Sequence, residues 1–377
     1  MTDIPGIPGI SRTVGAVRRT RATVAVAVGV LIAASACTSG GPPTSAPTST
    51  ATHSTSASAA PSATSCASSL ARTRVTAKGV PTCGALWGLA TQHSTIAGVE
   101  AVESNLGRAF DIVYRYHDLV EAVPDAEEKA LVARGSLLHL AIASRKFSGD
   151  GVNYTDVTAG TYDASLRKQA QGIASLGSPV FVTFEQEANQ KEKVGVRGSA
   201  ADFIAAWRHV HDLFTSAGAT NAVWVWVMTG NAANLSRTAA LWPGNDVVDW
   251  ISWNVYNNSG CRTSAIDVSR YVSFQDGLKI FYDWVTTTGR AAGIDTTKPM
   301  MVSEAGTAQY ADDLAMSAKW YADIPTALAA YPQVKAVTLW ASGGDNANGT
   351  NCDYRFQNNP TVAQGVATAG KALAALR

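Results

Sequence analysis

Two glutamates in this 377-residue chain stand at the ends of short apolar runs. Glu187 follows the run 181–184, and Glu304 closes the run 299–303. Burying a carboxylate costs free energy, so a strand that ends on one indicates a functional reason. Two carboxylates on either side of a sugar bond can hydrolyse it, one as the acid for the leaving oxygen and the other as nucleophile. The pair predicts this chemistry if the fold brings the two strand ends together.

Apolar β-type runs alternate with amphipathic helical stretches along most of the chain, as a barrel or a doubly wound sheet requires. The runs cover residues 85–90, 110–116, 137–143, 179–185, 222–228, 247–256, 299–304 and 334–341. The helical stretches cover residues 162–176, 201–217, 274–288 and 316–330. This α/β alternation predicts a single (β/α)8 TIM barrel, with the two glutamates after strand four and on strand seven, at its catalytic end. A doubly wound sheet would need a Gly-rich turn after the first strand, which 87–92 lacks.

The first 70 residues read as an export signal and a spacer. Three arginines precede the apolar run 22–36, which ends in Ala-Ser-Ala before Cys37. This predicts a signal peptide over 1–37. Its apolar run is too short to span a membrane comfortably. Cys37 resembles the lipidated first residue of a bacterial lipoprotein, although ordinary cleavage and secretion remain the alternative. The linker 38–69 is rich in Ser, Thr, Ala and Pro and is expected to be disordered, and the hydrolase-like domain is expected over 83–377.

The cysteines agree with an oxidising compartment. Setting Cys37 aside leaves an even number, Cys66, Cys83, Cys261 and Cys352. We expect Cys66–Cys83 to pair at the entry to the domain, and Cys261–Cys352 to pair between loops after strands six and eight. Four cysteines allow three pairings, so the other two stay open.

Composition limits the partners and cofactors. A formal net charge of +1 gives no electrostatic basis for binding nucleic acid. Neither C-x-x-C nor H-E-x-x-H occurs, so no zinc site is expected, and two carboxylates need no cofactor. We therefore expect a monomer that acts on a polysaccharide, located on the outer face of a membrane through Cys37 or released from the cell.

Two further side chains near the strand ends raise separate questions. Trp224 and Trp226 share a strand face, and Trp226, nearer the strand end, is the candidate for contact with a sugar. Glu185 lies two residues before Glu187 and is interpreted as an interior carboxylate held by hydrogen bonds. Its alternative role is to raise the pKa of Glu187 by like-charge repulsion.

Three ordered stretches, 203–210, 219–226 and 242–251, resemble glycoside hydrolase family 26, the β-mannanase family, and the likeness extends over 84–340. The resemblance implies a (β/α)8 barrel of a retaining enzyme, with Glu187 as acid/base and Glu304 as nucleophile. It also implies that Tyr256 lies near the nucleophile. Trp340 would then support the sugar at the cleavage point.

The chain departs from the family around the acid/base. Gln186, a candidate substrate contact, replaces the usual His, and Thr183 replaces a frequent Arg. The stretch 190–193 replaces a Trp-rich segment, and Asn254 stands where Asp is common. These changes preserve both carboxylates but alter the sugar contacts. The expected function is endo-hydrolysis of β-mannan or a related β-linked polysaccharide. A carbohydrate-binding protein on a decayed barrel and an enzyme remodelling the cell's own wall are the alternatives.

Overall fold

The computed structural model describes residues 71–91, 94–149, 151–259, 270–310, 313–343 and 353–376. Within them, eight parallel strands close into a barrel in chain order. The strands are β1 Leu86–Ala90, β2 Ile112–His117, β3 Leu137–Ile142, β4 Val180–Phe184, β5 Ala222–Thr229, β6 Trp250–Asn257, β7 Met300–Thr307 and β8 Val334–Trp340. Strand β1 pairs with β8 over its full length, which closes the ring. The predicted (β/α)8 TIM barrel is therefore confirmed.

Helices surround the strands. The described α-helices are α1 Ile96–Leu106, α2 Ala126–Ala133, α3 Tyr154–Thr158, α4 Asp163–Ser175, α5 Ala200–Ser216, α6 Leu235–Thr238, α7 Phe274–Trp284, α8 Leu314–Ala322, α9 Ile324–Ala330 and α10 Pro360–Leu373. Local sequence sets where several begin. In α5, the Ser199 side chain accepts from the Asp202 backbone and Asp202 bonds back, a capping box that satisfies two free amides. An equivalent box starts α2 at Asp125.

The structure differs from the predicted elements at three places. The helix expected over 316–330 is two helices, because the chain turns at Asp323 and Pro325 suits the first turn of a new helix. The helix expected over 274–288 changes to a π-helical turn at Val285–Gly289. Strand β7 continues three residues past Glu304, so this glutamate lies within the strand.

Two apolar layers hold the barrel together. One lies between strands and helices and includes Trp207 and Phe214 of α5, packed on Trp224 of β5. The other fills the interior at the lower end of the barrel, the end at which the strands begin. It includes Phe181 and Trp250, whose rings meet edge to face. The strands are almost wholly buried, as parallel strands covered on both faces must be.

Residues 71–82, which lie before the expected start of the domain at Cys83, pack against the lower end of the barrel. The buried Arg74 forms an ion pair with Asp111, and the Trp250 indole donates to the Lys78 carbonyl at 2.7 Å. Gly79 lies against the Phe181 ring with a φ of +70°, which favours glycine. The barrel is thus contacted by a segment that lies before the expected domain start at residue 83.

No helix in the described part of the chain is long and apolar enough to cross a membrane.

Candidate active site

Glu187 follows β4 on an unusual stretch of backbone. Strand β4 ends at Phe184, and both Glu185 and Glu187 have positive φ values, 53° and 56°. Such conformations are costly for residues other than glycine and cluster at functional sites. The amide of Glu185 donates to β3 and that of Glu187 to β5, at 2.9 Å and 2.8 Å. The neighbouring strands therefore fix the backbone that carries this carboxylate.

The Glu187 carboxylate accepts two amide hydrogen bonds. Asn254 of β6 donates to Oε1 at 2.9 Å, and Gln190, from the loop after β4, donates to Oε2 at 2.5 Å. Asn254, noted as a departure from the family, thus contacts the expected acid/base. These two donors leave little freedom for the carboxylate to rotate.

Glu304 lies within β7 and accepts two phenolic hydrogen bonds. Tyr116 of β2 donates to Oε1 at 2.6 Å, and Tyr256 of β6 donates to Oε2 at 2.7 Å. The pairing of β6 with β7 shifts by one residue here, so that Trp253 lies opposite Val302 and Asn254 opposite Glu304. A shift of this kind re-aims a side chain next to an active site.

The two carboxyls affect one another's protonation. Burial raises the pKa of Glu187. Burial and the charge of Glu187 raise the pKa of Glu304 to about 7. The sequence led us to expect the higher pKa on Glu187, whereas the structure gives raised values for both. Like charges held close together cannot easily both ionise, so the pair retains one proton near neutral pH.

Glu185 belongs to a separate ionic cluster. It is fully buried and pairs with Lys193 at 2.8 Å and Arg197 at 2.7 Å. The Ser144 backbone amide donates to it at 2.8 Å, and the Ser144 hydroxyl also bonds to it. Burial raises its pKa, but the two cations and these hydrogen bonds outweigh that effect and lower it. Glu185 is the interior carboxylate held by hydrogen bonds that the sequence analysis favoured.

A cleft of about 970 Å³ opens beside Glu304. Gln186, Trp340 and Phe147 are among the residues that line it. Trp340 meets the Tyr116 ring edge to face, with ring centroids 5.9 Å apart. The structure thus brings four expected site residues together, namely Glu304, Gln186, Tyr256 and Trp340.

Trp226 does not reach this cleft, and its prediction as a sugar contact is wrong. Its side chain is fully buried, and its indole donates to the Leu241 carbonyl at 3.0 Å. Its ring packs against Trp242 and Phe281, in the layer between strands and helices. Strand alternation correctly placed it on one face with Trp224, but that face is the outer one.

The departure at Thr183 leads to a small interior hydrogen-bond network. Thr183 donates to the Val225 carbonyl at 2.9 Å and contacts His139 Nε2 at 2.8 Å. Burial lowers the pKa of His139 to about 3, so its ring is neutral at physiological pH. This part of the barrel contributes polarity without charge beneath the two glutamates.

Sequence reasoning missed three residues that touch the carboxylates: Tyr116, Gln190 and, as a hydrogen-bond donor, Asn254. Tyr116 lies one residue before the end of β2, where a barrel presents residues to its mouth. That position was the available signal. Gln190 lies in a loop, and no periodicity marks it.

The cysteine expectations fall mostly outside the described residues. Cys83 is disulfide-bonded. Cys37, Cys66, Cys261 and Cys352 lie outside the described residues, so the expected pairings remain predictions. Among the residues that the structure describes, no three His, Cys, Asp or Glu side chains are grouped to hold a metal ion.

Comparison with known proteins gives one informative relative by sequence. The chain is 24% identical over 289 residues to endoglucanase H of Acetivibrio thermocellus, a match that covers 74% of this chain. The chain spans 29% of the length of that relative. No protein-family pattern matches the chain.

Solved structures give the same fold. The catalytic domain of a family 26 endo-β-1,4-mannanase from Bacillus sp. JAMB-750 superimposes with a TM-score of 0.53 at 16% identity, covering 80% of this chain and 90% of that one. A family 26 β-mannanase from Bacteroides ovatus gives 0.51 at 14% identity, covering 78% and 90%. The chain therefore shares its (β/α)8 barrel fold with these family 26 enzymes, the family that its sequence motifs resemble.

Proposed function

We propose that this protein is a retaining endo-β-glycosidase that hydrolyses β-mannan or a related β-linked polysaccharide. The observation that carries the proposal is the pair of half-buried carboxylates at the barrel mouth, Glu187 and Glu304, each held by two side-chain hydrogen-bond donors. Partial burial and the charge of Glu187 raise the pKa of Glu304 to about 7. A decayed, purely binding barrel would have no need to hold two half-buried carboxylates in place with amide and phenolic donors.

In this mechanism Glu187 donates its proton to the glycosidic oxygen while a Glu304 oxygen attacks the anomeric carbon. The bond to the leaving sugar breaks, and a covalent glycosyl-enzyme forms on Glu304. Water then attacks the same carbon, Glu187 takes its proton, and Glu304 is released, so the anomeric configuration is retained. This cycle requires a protonated Glu187 and an ionised Glu304 at the start. Burial raises the pKa of Glu187, which favours its proton. The Tyr116 and Tyr256 donors lower the pKa of Glu304 against the burial and the Glu187 charge that raise it.

The two phenols have a distinct part in this cycle. Each Glu304 oxygen accepts from one of them, Tyr116 or Tyr256, so the carboxylate is held in one plane before attack. Pre-positioning of this kind lowers the entropic cost of the chemical step. The indole of Trp340, at the edge of the cleft, is the surface on which the reacting sugar would rest.

The substrate assignment rests on the cleft and on what is similar to the chain. The cleft has a volume of about 970 Å³ and is lined by both Glu304 and Phe147, a residue that is 47% exposed, and this size favours a polymer over a single sugar. The two structures above are mannanases, and the sequence relative is an endoglucanase. β-Mannans are therefore the first substrates to test and β-glucans the second.

We propose export through the signal over 1–37, with attachment at Cys37. The support is the sequence of that segment and the disulfide at Cys83, since such bonds persist in oxidising compartments.

The function is tested by incubating the protein with a panel of β-mannans, β-glucans and β-xylans and measuring new reducing ends. Wild type should cleave at least one polymer into oligosaccharides, and Glu304→Ala should release none. The matched control is Glu192→Ala, which removes a carboxylate that is 65% exposed. No cleavage of any polymer by folded wild-type protein would refute the proposal.

A further inference from the structure

The loop after Glu187 contacts the carboxylate of the expected acid/base and also the backbone on which it stands. Lys193 donates to the carbonyl of Gln186, the residue just before Glu187, and pairs with Glu185 Oε1 at 2.8 Å. Gln190 donates from its side chain to Glu187 Oε2 and from its backbone to the Glu187 carbonyl at 3.1 Å. The loop therefore holds the carboxylate and its backbone at the same time.

This loop is itself firmly anchored. The Arg197 guanidinium bonds both oxygens of Glu185, at 2.8 Å and 2.7 Å, and also the Ser144 hydroxyl at 3.1 Å. Backbone bonds from Lys193 to Gln190 and from Arg197 to Lys193 close the turns of the segment. Side-chain exposure falls to 14% for Lys193 and 16% for Arg197, so neither cation is a freely solvated surface group.

The contacts act where the backbone is strained. Glu185 and Glu187 both have positive φ, and Lys193 bonds the carbonyl of the residue between them. Such a conformation is costly for a residue other than glycine and persists only where the surroundings enforce it. The Lys193 and Gln190 contacts supply part of that enforcement.

We propose that Gln190, Lys193 and Arg197 form a positioning clamp for Glu187, in which Gln190 fixes the carboxylate and Lys193 sets the pH range over which the enzyme works. The inference rests on the proposed function, because it assumes that Glu187 is the acid/base. Lys193 and Gln190 are positioning residues that act through Glu187.

The charge of Lys193 acts on both glutamates of the barrel mouth. It lowers the pKa of Glu187, where burial is the larger and opposite influence, and it also lowers that of Glu304. Removing the cation should raise both values. The other titratable or charged groups that influence Glu185, Glu187 or Glu304 are Arg197, Tyr114, Tyr116, Tyr154 and Tyr256.

The test is the pH dependence of kcat/KM for Lys193→Met on the best polysaccharide. Both limbs of the bell should move to higher pH by about one unit, the scale expected for loss of a nearby opposite charge. Lys193→Arg should restore most of the wild-type profile. Lys191→Met, at a side chain that is 81% exposed, should leave it unchanged.

Lys193→Gln, which keeps a donor but loses the charge, serves if Lys193→Met does not fold. A neutral variant that folds and loses activity while both limbs stay in place would overturn the inference, since a merely structural role predicts that result. A wild-type protein with no hydrolytic activity would instead refute the proposed function. If the wild-type protein is active but neither limb of the pH profile moves in Lys193→Met or Lys193→Gln, the clamp is refuted and the proposed function is not.

Discussion

Glu304 accepts hydrogen bonds from two phenols, and these bonds affect both its pKa and its orientation. Hydrogen bonds to a charged group contribute about 1.5–3 kcal/mol each. The donors Tyr116 and Tyr256 lower the pKa of Glu304, opposing its burial and the charge of Glu187. The phenols therefore favour the ionised form of Glu304 and fix its orientation, as the proposed role of nucleophile requires.

Removing either phenolic hydroxyl should weaken the reaction. Tyr116→Phe and Tyr256→Phe should each lower kcat/KM by about 10- to 100-fold, and the acidic limb of the pH profile should move to higher pH, because the Glu304 carboxylate loses a donor. Tyr282→Phe is the matched control, since its hydroxyl bonds Gln333 instead. Steady-state kinetics across pH measures both effects. Unchanged rates and limbs in both variants would contradict this role.

The charge of Glu187 can be removed without removing its shape. In Glu187→Gln, the pKa of Glu304 should fall below its value of about 7, because the neighbouring negative charge is gone. With an aryl glycoside whose leaving group needs no proton, the acidic limb should move to lower pH. Polysaccharide cleavage should fall by about 10²- to 10⁴-fold. An acidic limb that stays in place would show that the two carboxyls are not coupled.

For single residues, the sequence pointed to the two carboxylates but not to the side chains that donate hydrogen bonds to them. A glutamate after a buried apolar run is conspicuous, because burial of charge is costly. Tyr116 is not, because aromatic residues are common in strands and only closure of the barrel brings β2 opposite Glu304. Asn254 was visible only as a departure, and its bond to Glu187 depends on the position of β6.

Among the elements, the two tryptophans near strand ends show what the strand pattern does and does not predict. Alternation assigns residues to two faces, but both faces of a barrel strand are buried, one by the interior and one by helices. Trp226 faces the helices and Trp340 the cleft. The shift between β6 and β7 that aims Glu304 also has no mark in the sequence, since a one-residue offset depends on the neighbouring strand.

The two tryptophans should respond differently to the same substitution. Trp226→Ala should reduce the free energy of unfolding by about 3–5 kcal/mol, as expected for a large buried side chain, with little change in KM for the folded protein. Trp340→Ala should lower kcat/KM much more than stability, because its side chain is only half-buried in the cleft wall. Urea denaturation and kinetics on the same samples separate these outcomes. A raised KM with normal stability in Trp226→Ala would reverse our assignment of that residue.

Across the whole molecule, the barrel order was predictable and the closure of its lower end was not. Eight apolar runs in a regular alternation leave few topologies, which is why the fold was accessible from the sequence. Residues 71–82 carry few apolar side chains, so their packing on Trp250 and Phe181 gives no periodic signal. They are held by ion pairs, by a glycine that allows close approach, and by apolar contacts of Ala71, Val75 and Val80.

The lower closure can be tested at that glycine. Gly79→Val places a side chain against the Phe181 ring, whereas Gly107→Val, at a similar φ of +65°, has nothing within 4 Å of its new Cβ. Both variants carry backbone strain, but only Gly79→Val should also overpack the barrel. It should therefore lose about 1–3 kcal/mol more stability than Gly107→Val, measured by chemical denaturation. Equal losses would mean that residues 71–82 do not close the barrel in solution.

The most direct test of the account is to trap the covalent intermediate. A 2-deoxy-2-fluoro glycosyl fluoride, made from the disaccharide released from the best polymer, is incubated with the enzyme, and the labelled peptides are sequenced by mass spectrometry. The account predicts one label per molecule on Glu304, and none when the same reagent is given to Glu304→Ala. A label on Glu187, or polymer cleavage that inverts the anomeric configuration without any covalent adduct, would contradict it.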